Sequence, residues 1–483
     1  MNILFIMSDS LVPQLAGPYG DTVGGTPNMD ALAESGTVFE HAYCNSPMCA
    51  PSRASMVTGR YVSEVGAWDN AAEFLSEWPT MAHALEAVGY ETSIAGKMHF
   101  VGHDQYHGFS KRLALDTDYT KEYTPFDYRL AWKWGLPPRG NPWGVNWMGP
   151  SYVDPEKWTD YPVHYDWDER IHAEALQYLG DRTPDCDPFF CCVSYHAPHN
   201  PFWIPDEIRD LFRDKDLPLP SIPNGVNPIH GPMDEWLNAF HYVPDIRDRL
   251  MNHDNLRWLY ETYYGVVYDL DQRIGQLLDT LDRRGLRENT AIIFASDHGD
   301  MLAKRGMVQK RCFYEPASRI ALIGSFPGQW PEGQRITTPV SLIDLFPTFT
   351  DLTGAPAPED LHGVSLLPCL TDGDEPPNRI IFSEYHGEGT HAPGFMAVKD
   401  RYKYIYVHEH EERLYDLNKD PDEWVNRIGE PEYKPIISEL RSAVLNQFDP
   451  DDVAARALQS QRNRNFVYEC ANLAEEVRGG VNA

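Results

Sequence analysis

Asn2-Ile3-Leu4-Phe5-Ile6-Met7-Ser8, followed at once by Asp9, is the stretch that decides the fold. An apolar run of this length that does not alternate with polar residues is a strand buried on both faces. Strands of that kind belong to parallel sheets covered by helices. Three more runs read the same way, at 91–95, 189–195 and 290–296. Helical stretches separate them. Residues 27–35 open on Pro27 and stop before Gly36, 80–88 stop before Gly89, and 168–179 and 256–284 carry apolar residues at helical spacing. This alternation predicts an α/β fold, a large mixed, mainly parallel sheet sandwiched by helices. The 483 residues leave room for a smaller companion domain.

Outward from that core the character changes twice. Residues 110–165 are crowded with Trp, Tyr, Pro and Gly and read as long loops over the sheet. After Pro376, the runs at 379–383, 395–399 and 402–407 suggest a small antiparallel sheet, followed by a helix at 434–447 and a polar tail. The expected division is a catalytic domain over 1–375, a small-sheet subdomain over 376–448 and a tail over 449–483.

The net charge of −31 limits the partners. A diffuse negative field repels nucleic-acid phosphates, which argues against a general nucleic-acid binder. It also repels anionic substrates, so an enzyme acting on one needs a local cluster of cations. The N-terminal apolar run is too short for a signal peptide, and no run approaches a membrane span. The eight cysteines include the adjacent Cys191 and Cys192 in an apolar run and show no disulfide or zinc spacing. A cytoplasmic, reduced protein with no membrane partner is expected.

In open α/β sheets, ligands bind at the carboxyl ends of the strands. Those ends carry Asp9, Lys97 with His99, His199, and Asp297 with His298, a set able to hold a cation and an anion together. A second cluster is Cys49-Ala50-Pro51-Ser52-Arg53, followed by Thr58-Gly59-Arg60. Pro51 suits a first helical turn, so Cys49 would stand at a helix N-terminus, where an anion is favoured.

The cysteine segment resembles the signature of the formylglycine-dependent sulfatases of the alkaline phosphatase superfamily. The likeness runs along nearly the whole chain: Asp9, Gly96-Lys97-Met98-His99, Pro198-His199, Ser296-Asp297-His298-Gly299, Lys310 ahead of Phe313-Tyr314-Glu315, and Leu414-Tyr415-Asp416-Leu417 with Asp420-Pro421 and Glu423. Within the family, Asp69-Asn70-Ala71-Ala72-Glu73-Phe74, Asp104-Gln105-Tyr106-His107-Gly108-Phe109 and Ser460-Gln461-Arg462 are most similar to choline sulfatases and bacterial phosphonate monoester hydrolases. Two departures stand out. Ser10 replaces an Asp or Gln of the relatives, and the tail is shorter than in choline sulfatases.

The resemblance implies hydrolysis of small sulfate monoesters. A formylglycine-generating enzyme would oxidise Cys49, and the hydrated aldehyde would attack sulfur. Its second hydroxyl would then lose a proton, releasing sulfate and restoring the aldehyde. It further implies one divalent metal ion on Asp9, Cys49, Asp297 and His298. The imidazole moves the expectation from calcium toward manganese, with magnesium as a third candidate. Arg53, Lys97 and Lys310 would offset sulfuryl charge, His99 would orient or deprotonate the diol, and His199 would protonate the leaving oxygen, with His196 as the alternative. Tails of relatives pack on neighbouring subunits, so a homo-oligomer, dimer or tetramer, is expected.

Asn70 and Glu388 are the candidate substrate-binding residues. Glu388 is expected near the mouth of a pocket shared with Tyr123, Phe126 and Trp132, a lining that would suit a quaternary ammonium. Phosphonate or phosphate ester hydrolysis by the same residues, and a non-catalytic binding protein of the same fold, are the competing readings.

Overall fold

The computed structural model describes residues 1–116, 152–153 and 163–480. Its centre is an eight-stranded sheet. In chain order the strands are β1 Asn2–Ser8, β2 Thr37–Phe39, β3 Glu91–Gly96, β4 Lys111–Ala114, β5 Phe189–Ser194, β6 Thr290–Ser296, β7 Leu322–Ser325 and β8 Gln334–Ile336. They lie side by side in the order β8-β2-β7-β6-β1-β5-β3-β4. Only β7 runs against its neighbours, pairing antiparallel with β2 and β6. The sheet is thus mixed and mainly parallel, as the apolar runs predict.

Every residue of β1 is buried, and its side chains alternate between two cores. Leu4 and Ile6 join one cluster with Ile171 and Leu179 of helix Val163–Gly180 and Leu259, Tyr263 and Leu270 of helix His253–Arg283. Ile3, Phe5 and Met7 join the other with Met56, Leu85, Phe346 and Phe349. Burial of both faces is why the strand reads as an unbroken apolar run.

Two sequence readings need correction. Lys111–Ala114 is a strand on the sheet edge, although the segment reads as loop. The helix expected from 168 already starts at Val163. Most of the aromatic stretch, including Tyr123, Phe126 and Trp132, lies outside the described residues.

Besides a small three-stranded sheet of two-residue strands, a separate sheet has four consecutive antiparallel strands, β9 Ile381–Tyr385, β10 Gly394–Lys399, β11 Tyr402–Val407 and β12 Glu411–Asp416. Helix Lys434–Gln447 packs on it through Leu440 and Val444, against Phe395, Ala397, Tyr404 and Leu414. The tail is a single long helix, Pro450–Gly480. No described helix is long and apolar enough to cross a membrane.

Register carries the fold into the site. Ser8 pairs with Ser296, and Ser194 with both Met7 and Gly96, so the central strands end almost level. Gly96 makes the turn there with φ +94, and a Cβ at that position would lie 2.2 Å from the Ser194 carbonyl oxygen. Gly96→Ala is expected to destabilise the protein by about 2 kcal/mol or more, read as a lowered melting temperature.

Candidate active site

The level strand ends deliver their next residues to one place: Asp9 after β1, Asp297 and His298 after β6, Lys97 after β3 and His196 and His199 after β5. The ladder extends one step beyond the strands, with Asp297 N–H donating to Ser8 O at 3.2 Å and Lys97 N–H to Ser194 O at 3.0 Å. Helix Cys49–Thr58 supplies the rest. Met48 is extended at its N-cap, Cys49 is its first residue, and Gly59 ends it in the left-handed conformation. Cys49 and Arg53 lie one turn apart and share a face.

The cysteine sulfur stands 3.1 Å from His298 Nε2 and 3.8 Å from Asp9 Oδ1. His298 Nε2 is 3.8 Å from Asp9 Oδ1 and 3.6 Å from Asp297 Oδ1. His298 Nδ1 donates to Gly299 O at 2.9 Å, so Nε2 is the ring nitrogen that faces the group. All four ligand atoms fall within 4.8 Å of one another, and every residue is buried. Two carboxylates, an imidazole nitrogen and a fourth donor at these separations fit one divalent cation with bonds of roughly 2.0–2.6 Å.

Positive charge surrounds this acidic group. Arg53 donates through Nε to Asp297 Oδ2 at 2.8 Å, lies 3.4 Å from Asp9 Oδ2, and is further held by Ser194 Oγ at 2.8 Å and Lys97 O. Lys97 Nζ is 3.0 Å from Asp9 Oδ2 and 3.5 Å from His196 Nε2. Lys310 Nζ donates to His199 Nε2 at 2.7 Å, while His199 Nδ1 faces Asn200 O.

The charges act on one another strongly because all of them but the partly buried His199 are buried. Burial alone would raise the Asp9 carboxyl, yet Lys97, His199, His298 and Lys310 hold it well below its usual range. Burial and Asp9 would raise the Cys49 thiol, but Lys310, Lys97 and His298 bring it well below the usual thiol range. Burial pushes Asp297 up against the opposing pull of Arg53. The position of the cysteine sulfur is therefore prepared for negative charge.

Ser10 adds support rather than a carboxylate. It adopts φ +68, donates Oγ–H to Asp9 Oδ1 at 2.8 Å, and gives its N–H to Asp297 Oδ1 at 3.2 Å. Asn70 accepts the Ala50 N–H at 3.0 Å, one residue from Cys49. His99, next to Lys97 in the strand-end turn, has φ +55 and donates its N–H to Asp116 Oδ2 at 2.6 Å.

Glu388 corrects its expected position. It is fully buried instead of standing at a mouth, and Arg311 grips its Oε2 at 2.6 and 3.2 Å. Burial pushes its carboxyl up to about 7 against the pull of Arg311. A glutamate in a glycine-flanked loop reads as exposed, and nothing local announces a partner 77 residues away.

Several contributors escape the sequence reading. Ser194 looks like the plain end of an apolar strand, yet it orients Arg53. Asp168 accepts the N–H groups of His196 and Ala197 at 2.7 and 2.9 Å, and His164 stacks on His196 with ring centres 4.5 Å apart. Both lie in the first two turns of a helix whose acidic and aromatic residues look like ordinary surface.

The sulfatase family model matches residues 1–355, and the model described as N-sulphoglucosamine sulphohydrolase, C-terminal, matches 303–449. The chain belongs to the sulfatase family. It is a sulfuric ester hydrolase by that membership. A choline-sulfatase of Rhizobium meliloti (strain 1021) is 32% identical, with 97% of this chain and 91% of the relative aligned. An arylsulfatase of Clostridium perfringens (strain 13 / Type A) is 28% identical over 93% of this chain and 94% of its own. The solved phosphonate monoester hydrolase of Agrobacterium radiobacter superposes with a TM-score of 0.70 at 23% identity, covering 96% of its chain and 94% of this one, a likeness of fold.

Proposed function

We propose that this sulfatase hydrolyses small sulfate monoesters to an alcohol and inorganic sulfate at the Cys49 position. The observation that carries the reading is the placement of that side chain. It starts a helix, lies beside Asp9 and His298, and is held low in pKa by two lysines in an otherwise acidic protein. Conversion of Cys49 to formylglycine by a formylglycine-generating enzyme would supply, in hydrated form, a hydroxyl nucleophile and a second hydroxyl whose deprotonation expels sulfate. A divalent ion, manganese or calcium with magnesium a third candidate, would be held by Asp9, Asp297, His298 and the converted Cys49 side chain, and supplies Lewis-acid polarisation.

The chain's own residues carry the remaining steps. Arg53 fixes the carboxylate of Asp297 and adds positive charge behind the reacting position. Lys97 and Lys310 stabilise the charge that develops on sulfuryl oxygens, a preorganised arrangement because both ammonium groups are already tied in place. His199 relays a proton to the departing oxygen, taking it up at Nε2 from the Lys310 ammonium that donates there. His99 orients the nucleophile. Asn70 holds the first turn of the helix and faces the substrate.

Choline sulfate is one candidate substrate, on the strength of the Rhizobium relative, beside other alkyl and aryl sulfates. Side-by-side rates on choline sulfate, an aryl sulfate and a phosphonate monoester test the reading. Sulfate esters should lead the panel; phosphonate turnover without sulfate turnover would overturn it. The proposed location is the cytoplasm, supported by eight free cysteines.

The tail helix supports an oligomer. Leu458, Phe466 and Val467 are exposed on it, at 40%, 66% and 52% of their full surface. Light scattering should show a dimer or tetramer that a chain ending at 449 fails to form. A monomeric full-length chain, or an unchanged assembly after truncation, contradicts this.

A further inference from the structure

The stripe Val453, Arg456, Ala457, Gln461 and Arg464 repeats at helical spacing along one face of the tail helix. Val453 and Ala457 are buried with Tyr61, Trp68 and Ala72. Arg456 donates to Ser63 O at 2.8 Å and lies 5.1 Å from the Trp68 ring centre. These contacts dock the helix on the segment from Tyr61 to Ala72 without further help. Arg464 lies about two turns beyond Ala457 and makes a different contact. Its two terminal nitrogens donate to the two oxygens of Asp69, each at 2.8 Å. Asp69 is completely buried and adjoins Asn70.

A forked guanidinium–carboxylate pair sets orientation as well as distance. The other described contact of this carboxylate is the Ala71 N–H at 2.9 Å, which belongs to the same short loop. Without Arg464 a buried carboxylate would keep too little compensation, and the loop would move to hydrate it. The loop has little freedom to do so harmlessly. Asn70 leads directly to Ala50 N–H at 3.0 Å, and a Cβ on Gly387 would sit 2.7 Å from the Asp69 Cβ, so the facing loop is already in close contact.

We propose that Arg464 is a positioning residue for the reaction. Through Asp69 it fixes Asn70, and through the Asn70–Ala50 hydrogen bond it fixes the helix turn that presents position 49. The inference rests on the sulfatase reading of that site. It links the tail to the reacting position through a pair 395 residues apart in sequence. The tail thereby serves the chemistry within its own chain, in addition to any subunit contact.

The test uses full-length Arg464→Ala, Arg464→Lys, Asp69→Asn and the Asp69→Asn/Arg464→Ala double variant. Three quantities are read: kcat and KM on a sulfate ester that the wild type turns over, hydrogen exchange in the peptide 48–58, and aldehyde content at position 49. Arg464→Ala should lower kcat by roughly 10–100-fold with a much smaller change in KM, since a displacement of an ångström at the reacting group has that scale. Exchange in 48–58 should quicken, with aldehyde content unchanged. Guanidinium ion should restore part of kcat where ethylammonium does not, and the double variant should be no slower than Asp69→Asn alone. Should the alanine variant fail to fold, Arg464→Lys, which keeps the charge but loses the fork, carries the same readouts. The proposal is overturned if the soluble variant keeps wild-type kcat and exchange, or if the two substitutions act additively. A wild type that turns over no sulfate ester defeats the sulfatase reading instead, and the exchange measurement still decides whether Arg464 orders the helix turn.

Discussion

Cys49→Ala should abolish sulfate ester turnover, lowering kcat by roughly 10⁴-fold or more, while leaving the fold intact. The side chain is small and fully buried, and its neighbours Asp9, Arg53, Asp297 and His298 are tied to one another without it. Alanine therefore removes the nucleophile's position without leaving a charge unpaired. Cys49→Ser separates attack from release. A serine hydroxyl in the same cationic surroundings could attack sulfur but has no second hydroxyl from which to expel sulfate. Intact mass should then show the variant heavier by one sulfuryl group after incubation with substrate. Active wild-type protein should carry the aldehyde at position 49 in a measurable fraction of chains. Full activity from protein holding only the thiol would sink the mechanism.

The elements legible in the sequence share a physical cause. Strands β1, β3, β5 and β6 are central and buried on both faces, so each is an apolar run that no surface element imitates. The edge strands give no such signal. Gln334–Ile336 has three residues, of which only Ile336 is buried, and Lys111–Ala114 is partly exposed along its length. The same contrast holds in the site. Asp9, Lys97 and Asp297 directly follow legible strands, and Cys49 and Arg53 sit in one short motif, so their convergence could be anticipated. Pairings across long separations could not. Arg311 with Glu388 and Arg464 with Asp69 each join a loop to a charge whose own neighbourhood looks like surface. Burial of a carboxylate is decided by where its partner arrives, and the local sequence does not encode that.

That dependence of buried charge on its partner shapes the second large effect, at Asp297. Asp297→Ala would remove a proposed metal ligand and also the nearest partner of a buried guanidinium, 2.8 Å away. Breaking such a pair costs about 3–5 kcal/mol, so loss of activity in that variant would mix two causes. Asp297→Asn keeps the shape of the side chain and lessens the second cause. The amide oxygen can still accept the Ser10 and His298 N–H groups that now reach Oδ1 at 3.2 and 2.8 Å, and Arg53 keeps Asp9, Ser194 and the Lys97 carbonyl. What it loses is the charge that a divalent cation needs and the acceptor of Arg53 Nε, because the amide NH2 takes the place of Oδ2. Wild-type protein should be stabilised by added manganese or calcium by about 2.7 kcal/mol at a hundredfold excess over Kd, seen as a rise in melting temperature. The asparagine variant should fold, show no such rise, retain no stoichiometric metal after desalting, and lose sulfate ester turnover. The direction follows from binding to the folded state alone, because Asp9, Asp297 and His298 meet only when β1 and β6 are paired. Stoichiometric metal in Asp297→Asn, or an equal thermal response in both proteins, would place the ion elsewhere.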